Sequence, residues 1–202
     1  AQVGFTSAML ALYRATGNSI WLARADRLAG EMISKLYDHE LGGFFATVPD
    51  EAAAIVAPRK PLEQNALAAQ ALYKLWVYTK DDRYAAIPER SLRAAATSGV
   101  LRREGKVVGE TALALETLTA AYVEFSVVGQ PLAASTIALF EAGRATYHPR
   151  KLLHYELAGR YPMRDRSAMY ICNPDRCSLP IYDPGLVASQ ADFFRLPANF
   201  SH

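Results

Sequence analysis

Residues 8–23 read AMLALYRATGNSIWLA, and residues 69–85 read AQALYKLWVYTKDDRYA. Each stretch is an apolar helical pattern that runs into a Thr, then a Gly or Lys, then a polar pair, then Trp21-Leu22-Ala23 or Tyr84-Ala85-Ala86. Each is followed by a second amphipathic segment. A helix–turn–helix phrase written twice marks a repeat architecture, in which every hairpin buries its apolar face against its neighbours. The repeat decides the scaffold and leaves the reaction open.

The periodicity extends outward from both copies. Residues 5–16 form a helix stopped by Gly17-Asn18, a left-handed terminus. Ser19 caps the next helix, 20–36, whose apolar face carries Ile20, Leu22, Leu28, Met32, Ile33 and Leu36. Asp38 to Gly43 breaks the pattern. Phe44–Val48 and Ala54–Ala57 read as short strands within an irregular excursion, the kind of long loop that is functional or flexible. Pro61 opens a third helix, 62–78, at the position where its missing N–H costs nothing. Asp81-Asp82 cap a fourth, 83–97, kinked or displaced by Pro88. Residues 99–108 connect to a fifth helix, 110–121.

The character then changes. Tyr122–Val128 is β-branched and aromatic and predicts a strand. A helix at 132–144, strands at Lys151–Glu156 and Ser167–Cys172, and a short helix within 184–195 complete the reading. The predicted fold is mainly α: helical hairpins over 1–121, then a small β-α-β-β unit of mixed α/β character over 122–202.

The chain has 202 residues, 51% of them hydrophobic, enough for one well-buried domain or a domain with an appendage. Its 22 basic and 20 acidic residues are interspersed and give a net charge of +2, so nothing electrostatic points to nucleic acid. Arg102-Arg103 with Lys106 reads as a solvated turn. No apolar run is long enough for a membrane span, and the start lacks a signal-peptide pattern. Helical periodicity begins almost at once with Val3, Phe5, Met9 and Leu12, as if the chain entered mid-pattern, which is expected of a C-terminal fragment. Such a fragment should expose this stripe and self-associate through it.

Cys172 and Cys177 lie in ICNPDRC. The spacing is not C-x-x-C, and two thiolates do not make a zinc site even with His148 and His154 in the chain, so no metal is expected. A reduced pair in a turn is the first reading and a local disulfide the second.

Several segments together carry a resemblance: Ala11–Gly17 (ALYRATG), Tyr37–Phe45 (YDHELGGFF), Arg59–Ala66 (RKPLEQNA) and Ala168–Asp183 (AMYICNPDRCSLPIYD). The last is the most specific, with a Cys pair followed by Ser-x-Pro and an Asp. The chain resembles the C-terminal part of the spermatogenesis-associated protein 20-like family of thioredoxin-domain-containing proteins. The resemblance implies part of an (α/α) toroid of the six-hairpin glycosidase kind, shared with sugar 2-epimerases. It further implies a cytoplasmic location, and a thioredoxin-like domain in an N-terminal remainder of the same polypeptide as the partner. Glu63-Gln64-Asn65 departs from the Ser-Gly-Asn type of helix start expected there.

Inner helices of such a toroid converge on a funnel, and sugar sites need aromatic faces and carboxylates. The candidate catalytic residues are therefore Glu63 and Glu110. The candidate ligand-binding residues are Tyr37, His39, Phe44, Phe45, Arg59 and Asn65. Each has a plainer reading. Glu63 and Glu110 are acids in first helical turns, where capping alone explains them. His39 suits an exposed loop, one Phe suits the core, and His154 suits a packed strand. No Ser-His-Asp, metal or phosphate-loop pattern appears, and no cofactor is expected. Two readings stand: a carbohydrate-active hydrolase or epimerase whose funnel wall this chain supplies, taking a small carbohydrate, or a non-catalytic scaffold attached to the thioredoxin-like domain.

Overall fold

A computed structural model describes residues 2–49, 58–156, 159–162 and 165–195. The chain is mainly helical, and its described residues fall into two compact units, one drawn from 1–13 and 18–120, the other from 14–17 and 121–202.

The repeated phrase makes the same turn twice. Helix α1 (Gln2–Thr16) ends at Gly17, with φ 68°. Helix α3 (Leu62–Thr79) ends at Lys80, with φ 54°, the one non-glycine in the left-handed region among the described residues. The following residue caps what comes next. Asn18 Oδ1 accepts from Ile20 N–H at 3.0 Å and opens α2 (Ser19–Leu36). Asp81 Oδ1 accepts from Arg83 N–H at 2.9 Å and opens a 3-10 turn at 82–84, ahead of α4 (Ile87–Ala95). The cap of α2 is thus Asn18 rather than Ser19. The predicted helix 83–97 is a 3-10 turn plus a shorter helix, because Pro88 is accommodated only in a first turn.

Helix α3 is the centre of the first unit. Nine of its residues are buried, among them Leu72 and Leu75 at 0% exposure. Ala25 and Ala29 of α2 and Ala68 and Ala71 of α3 share one core with Leu10, Met32, Tyr37, Phe44 and Tyr84. Truncating Leu72 or Leu75 to Ala in such a setting costs about 2–5 kcal/mol. The Tyr84 hydroxyl donates to Asp26 Oδ1 at 2.6 Å, which anchors the 3-10 turn on α2.

Two further helices follow: α5 (Ser98–Glu104) and α6 (Gly109–Thr119). The expected connection 99–108 thus contains most of a helix. Thr97 accepts from Val100 N–H at 3.4 Å and starts it in spite of Gly99. Ala114 of α6 packs with Ala66, Ala69 and Leu92, while Leu113 and Leu115 are 54% and 55% exposed. On α1, Val3 and Met9 lean on the core, whereas Phe5 is 59% and Leu12 38% exposed, so only half of the expected apolar stripe is bare.

The second unit holds a three-stranded sheet in the order β2-β1-β3. Strand β1 (Val123–Val128) pairs in parallel with β2 (Lys151–Tyr155) and antiparallel with β3 (Ala168–Cys172). The crossover from β1 to β2 is α7 (Ala134–Ala145). Val123, Phe125 and Val127 meet Leu139 and Phe140 of α7, Leu153, Met169 and Ile171 in one core. A Cβ at Gly143 would come within 2.7 Å of Met169 Cε and 3.0 Å of Leu153 Cδ1, so a larger residue there would require these side-chain ends to shift. A 3-10 turn at 184–186 leads into α8 (Val187–Asp192).

Two further expectations are corrected. Phe44–Val48 is not a strand: Tyr37 and Phe44 share a single bridge, and Gly42 and Gly43 at φ 74° and 83° turn the chain back. Cys172 and Cys177 are not a reduced pair but a disulfide. The turn between them brings their Cα atoms to 4.1 Å, well inside the separation of about 7 Å beyond which no bridge forms. The predicted strand 54–57 lies outside the described residues.

Candidate functional site

The 37–45 segment is a clasp. Asp38 Oδ1 accepts from the Glu40 and Leu41 N–H groups at 3.0 and 2.9 Å, a compact Asx turn. Its Oδ2 accepts from Lys60 Nζ at 2.7 Å. The Leu41 N–H, then the Lys60 ammonium, hold the Asp38 carboxyl below its ordinary range. Lys60 also donates to the Gly42 carbonyl at 2.6 Å and lies 4.9 Å over the Phe45 ring. Arg90 Nη2 donates to the His39 and Glu40 carbonyls at 3.0 and 3.1 Å.

Asn65 closes the clasp. It is fully buried in the first turn of α3. Its Oδ1 accepts from Phe44 N–H at 2.7 Å, and its Nδ2 donates to the Phe44 and Pro61 carbonyls at 3.0 and 2.8 Å. Both amide hydrogens and the carbonyl are committed to backbone. Phe44 and Tyr37 are core residues at 4% and 7% exposure, with ring centroids 5.1 Å apart. Burial raises the Tyr37 hydroxyl above the ordinary phenol range. The His39 ring is exposed and meets Tyr37 edge-on at 5.1 Å.

A cleft of about 950 Å³ opens beside the clasp. Its rim carries Arg59, Lys60 and Glu63 from the start of α3, Arg103 and Glu104 from α5, and Glu110 from the first turn of α6. Glu63 and Glu110 sit in helical first turns, where N-terminal partial positive charge favours them, whereas Glu104 is the last residue of α5. Glu110 Oε2 accepts from Gln70 Nε2 at 3.1 Å; Glu63 is exposed. The cleft therefore mixes three cations with three carboxylates above an aliphatic floor that includes Leu62, Val100 and Leu113.

The candidate residues part company here. Arg59, Glu63 and Glu110 line one cavity. Tyr37, His39, Phe44, Phe45 and Asn65 are not among its lining residues. Phe44 and Phe45 line a separate groove of about 220 Å³ with Met32 and Gln64. The lining described has no aromatic ring, so a ligand there is held by charge and hydrogen bonds rather than by stacking. Arg103, expected in a solvated turn with Arg102 and Lys106, instead lies in the last turn of α5, and Glu104 escaped notice because α5 did. The Thr97 cap was the available signal.

The second unit has its own polar cluster on the sheet face opposite α7. Ser126 Oγ and His154 Nε2 lie 3.0 Å apart, and Glu124 Oε1 lies 3.5 Å from that nitrogen. Arg160 pairs with Glu124 at 3.1 Å and Glu156 at 2.9 Å. Glu124, Ser126 and His154 are all under 5% exposed. His154 is the packed strand histidine that its position suggested, and the serine and glutamate share one of its nitrogens, which is not a relay geometry. Among the described residues no group of three His, Cys, Asp or Glu side chains could hold a metal ion, and no helix is long and apolar enough to cross a membrane.

No protein-family profile matches the chain. Among known proteins it is similar to spermatogenesis-associated protein 20 of Homo sapiens, 26% identical over 196 residues. The match covers 87% of this chain and 25% of that protein, so the chain spans about a quarter of its relative's length.

Proposed function

We propose that the first unit binds a small polyhydroxylated ligand, a sugar or polyol, in the cleft between the start of α3 and the first turn of α6. The chain would serve there as part of an (α/α) toroid within a longer, carbohydrate-active polypeptide that also carries a thioredoxin-like domain. The observation that carries the reading is that Glu63 and Glu110, from helices distant in sequence, line the same cavity as Arg59 and Arg103. Carboxylates accept from sugar hydroxyls, cations donate to them, and an acid and a base flanking one bond are what hydrolysis or epimerisation requires.

One observation favours the alternative of a non-catalytic scaffold. Asp38, Lys60 and Asn65 are all engaged in holding the 37–45 clasp, and Glu110 is hydrogen-bonded to Gln70. A thermal-shift screen of hexoses, hexitols and uronic acids separates the two. The binding reading expects a stabilising ligand whose affinity drops about tenfold in Glu63→Gln or Glu110→Gln, with the unliganded melting temperature preserved. If both substitutions only lower the melting temperature, the glutamates are helix caps and the scaffold reading stands.

A further inference from the structure

The Cys172–Cys177 bridge lies outside the cleft; Cys172 packs with Val128, Ala168 and Tyr170 in a small core of the sheet, with Tyr161 and Tyr182 against it. Its two sulfurs differ in setting. Cys172 closes β3 and is 3% exposed; Cys177, across the turn, is exposed. The Tyr161 hydroxyl lies 3.0 Å from Cys172 Sγ and 4.0 Å from Cys177 Sγ. That tyrosine is fixed in place, its ring stacked on Tyr170 with centroids 4.4 Å apart and planes 10° apart. Its neighbour Arg160 is anchored on the buried Glu124.

We propose that this bridge is a thiol–disulfide exchange site, attacked at Cys177 and released at Cys172, with Tyr161 donating its hydroxyl proton in a hydrogen bond to the departing Cys172 thiolate. The reductant is an external thiol or dithiol. Its thiolate attacks Cys177 Sγ, forming a mixed disulfide as the Sγ–Sγ bond breaks and the electron pair leaves on Cys172. A second external thiolate attacks the reductant's sulfur in the mixed disulfide and expels Cys177 as thiolate. Two electrons have then passed from two external thiols, now joined as a disulfide, to the protein, whose thiolates take protons from water according to pH. Attack falls on the accessible sulfur, and the better-stabilised thiolate leaves faster. Burial holds the Tyr161 phenol above its ordinary range, so it keeps its proton and remains a donor at neutral pH.

The hairpin does not depend on the bridge for its shape. Asn173 Oδ1 accepts from the Asp175 and Arg176 N–H groups at 3.0 and 2.9 Å, and Asn173 N–H donates to the Arg176 carbonyl at 2.9 Å. Ser178 N–H donates to the Ile171 carbonyl at 2.8 Å, and Ile171 N–H donates to Ser178 Oγ at 3.0 Å. These bonds survive reduction and keep the two sulfurs facing each other, so exchange is reversible.

The chain supplies a convenient readout. Trypsin cleaves after Arg166, Arg176 and Arg195, which places Cys172 and Cys177 on different peptides. The oxidised protein is exposed briefly to reduced glutathione, quenched with N-ethylmaleimide, digested and read by mass spectrometry. The expected result is glutathione on Cys177 and maleimide on Cys172. Tyr161→Phe, which keeps the ring stack, is expected to slow reduction about five- to tenfold with an unchanged melting temperature. Glutathione on Cys172, an unchanged rate in Tyr161→Phe, or two free thiols in protein purified without reductant would each overturn the proposal. The adduct position in the unsubstituted protein decides the matter even if the variant folds poorly.

Discussion

Asn65 is where the local structure is most sensitive to a single side chain. Its amide satisfies both backbone groups of Phe44 and the Pro61 carbonyl, all within a buried first turn. Asn65→Ala leaves the Phe44 N–H and carbonyl without that partner, while the Pro61 carbonyl keeps the residue 65 backbone N–H, and is expected to cost about 3 kcal/mol in urea unfolding. Asn65→Asp turns an acceptor toward two carbonyls and should cost no less. Lowered pKa values at His148, Asp38 and Asp81 contribute to the acid limb of stability. Burial, ahead of its neighbours' charges, lowers the His148 pKa from 6.5, so the unfolded chain takes up the proton first. Its contribution is therefore complete above pH 6.5 and is lost as pH falls from there through the lower folded value. Asp38 is lowered from 3.8 by the Leu41 N–H and then Lys60, so its contribution is present above pH 3.8 and lost on further acidification. Stability measured against pH should show both losses. His148→Gln should remove the one starting near pH 6.5, and Asp38→Asn should reduce the one starting near pH 3.8, to which Asp81, lowered by Arg83, also contributes.

At the scale of the element, Lys80 holds a left-handed conformation that costs a side-chain-bearing residue about 1 kcal/mol. Lys80→Gly is expected to raise the unfolding free energy by about 0.5 kcal/mol, the relief being partly offset by a more flexible unfolded chain and by loss of the contact over Trp76. Thermal unfolding of the single variant checks it. The elements legible in the sequence were those whose signal is local. Helix α3 followed from Pro61 and an apolar period, and β1 from a run of β-branched residues. Helix α5 was hidden because Gly99 looked like a breaker, while one Thr97 oxygen outweighed it. Of the cleft, Arg59, Glu63 and Glu110 were legible because acids and bases at helix starts stand out. The role of Asn65 was not, because its partner Phe44 lies 21 residues away and is a backbone group. The disulfide was legible only as the second reading, since C-x4-C becomes a pairing only when a turn brings the two residues opposite each other.

At the scale of the whole chain, the larger cores of the two units share no side chain: one is built on α2 and α3, the other on β1 and α7. Hydrogen exchange should therefore show two groups of slow amides, centred on α3 and on β1, that respond separately to substitution. Leu72→Ala should accelerate the first group and spare the second; a uniform acceleration would mean one cooperative unit. We also propose that the bare half of the α1 stripe, Phe5 and Leu12, supports self-association. If so, Phe5→Glu with Leu12→Glu should lower the apparent mass in light scattering at high concentration; an unchanged mass counts against it. The turn written twice turns this polypeptide into its own calibration. Exchanging the two residues, Gly17→Lys together with Lys80→Gly, leaves amino-acid composition constant, so the reference ensemble from which stability is measured hardly changes. The difference then reports the two native sites alone. A Cβ at residue 17 would fall 2.3 Å from the Tyr155 ring, so the exchange should be destabilising, and the sign is assigned to residue 17 by the single Lys80→Gly variant.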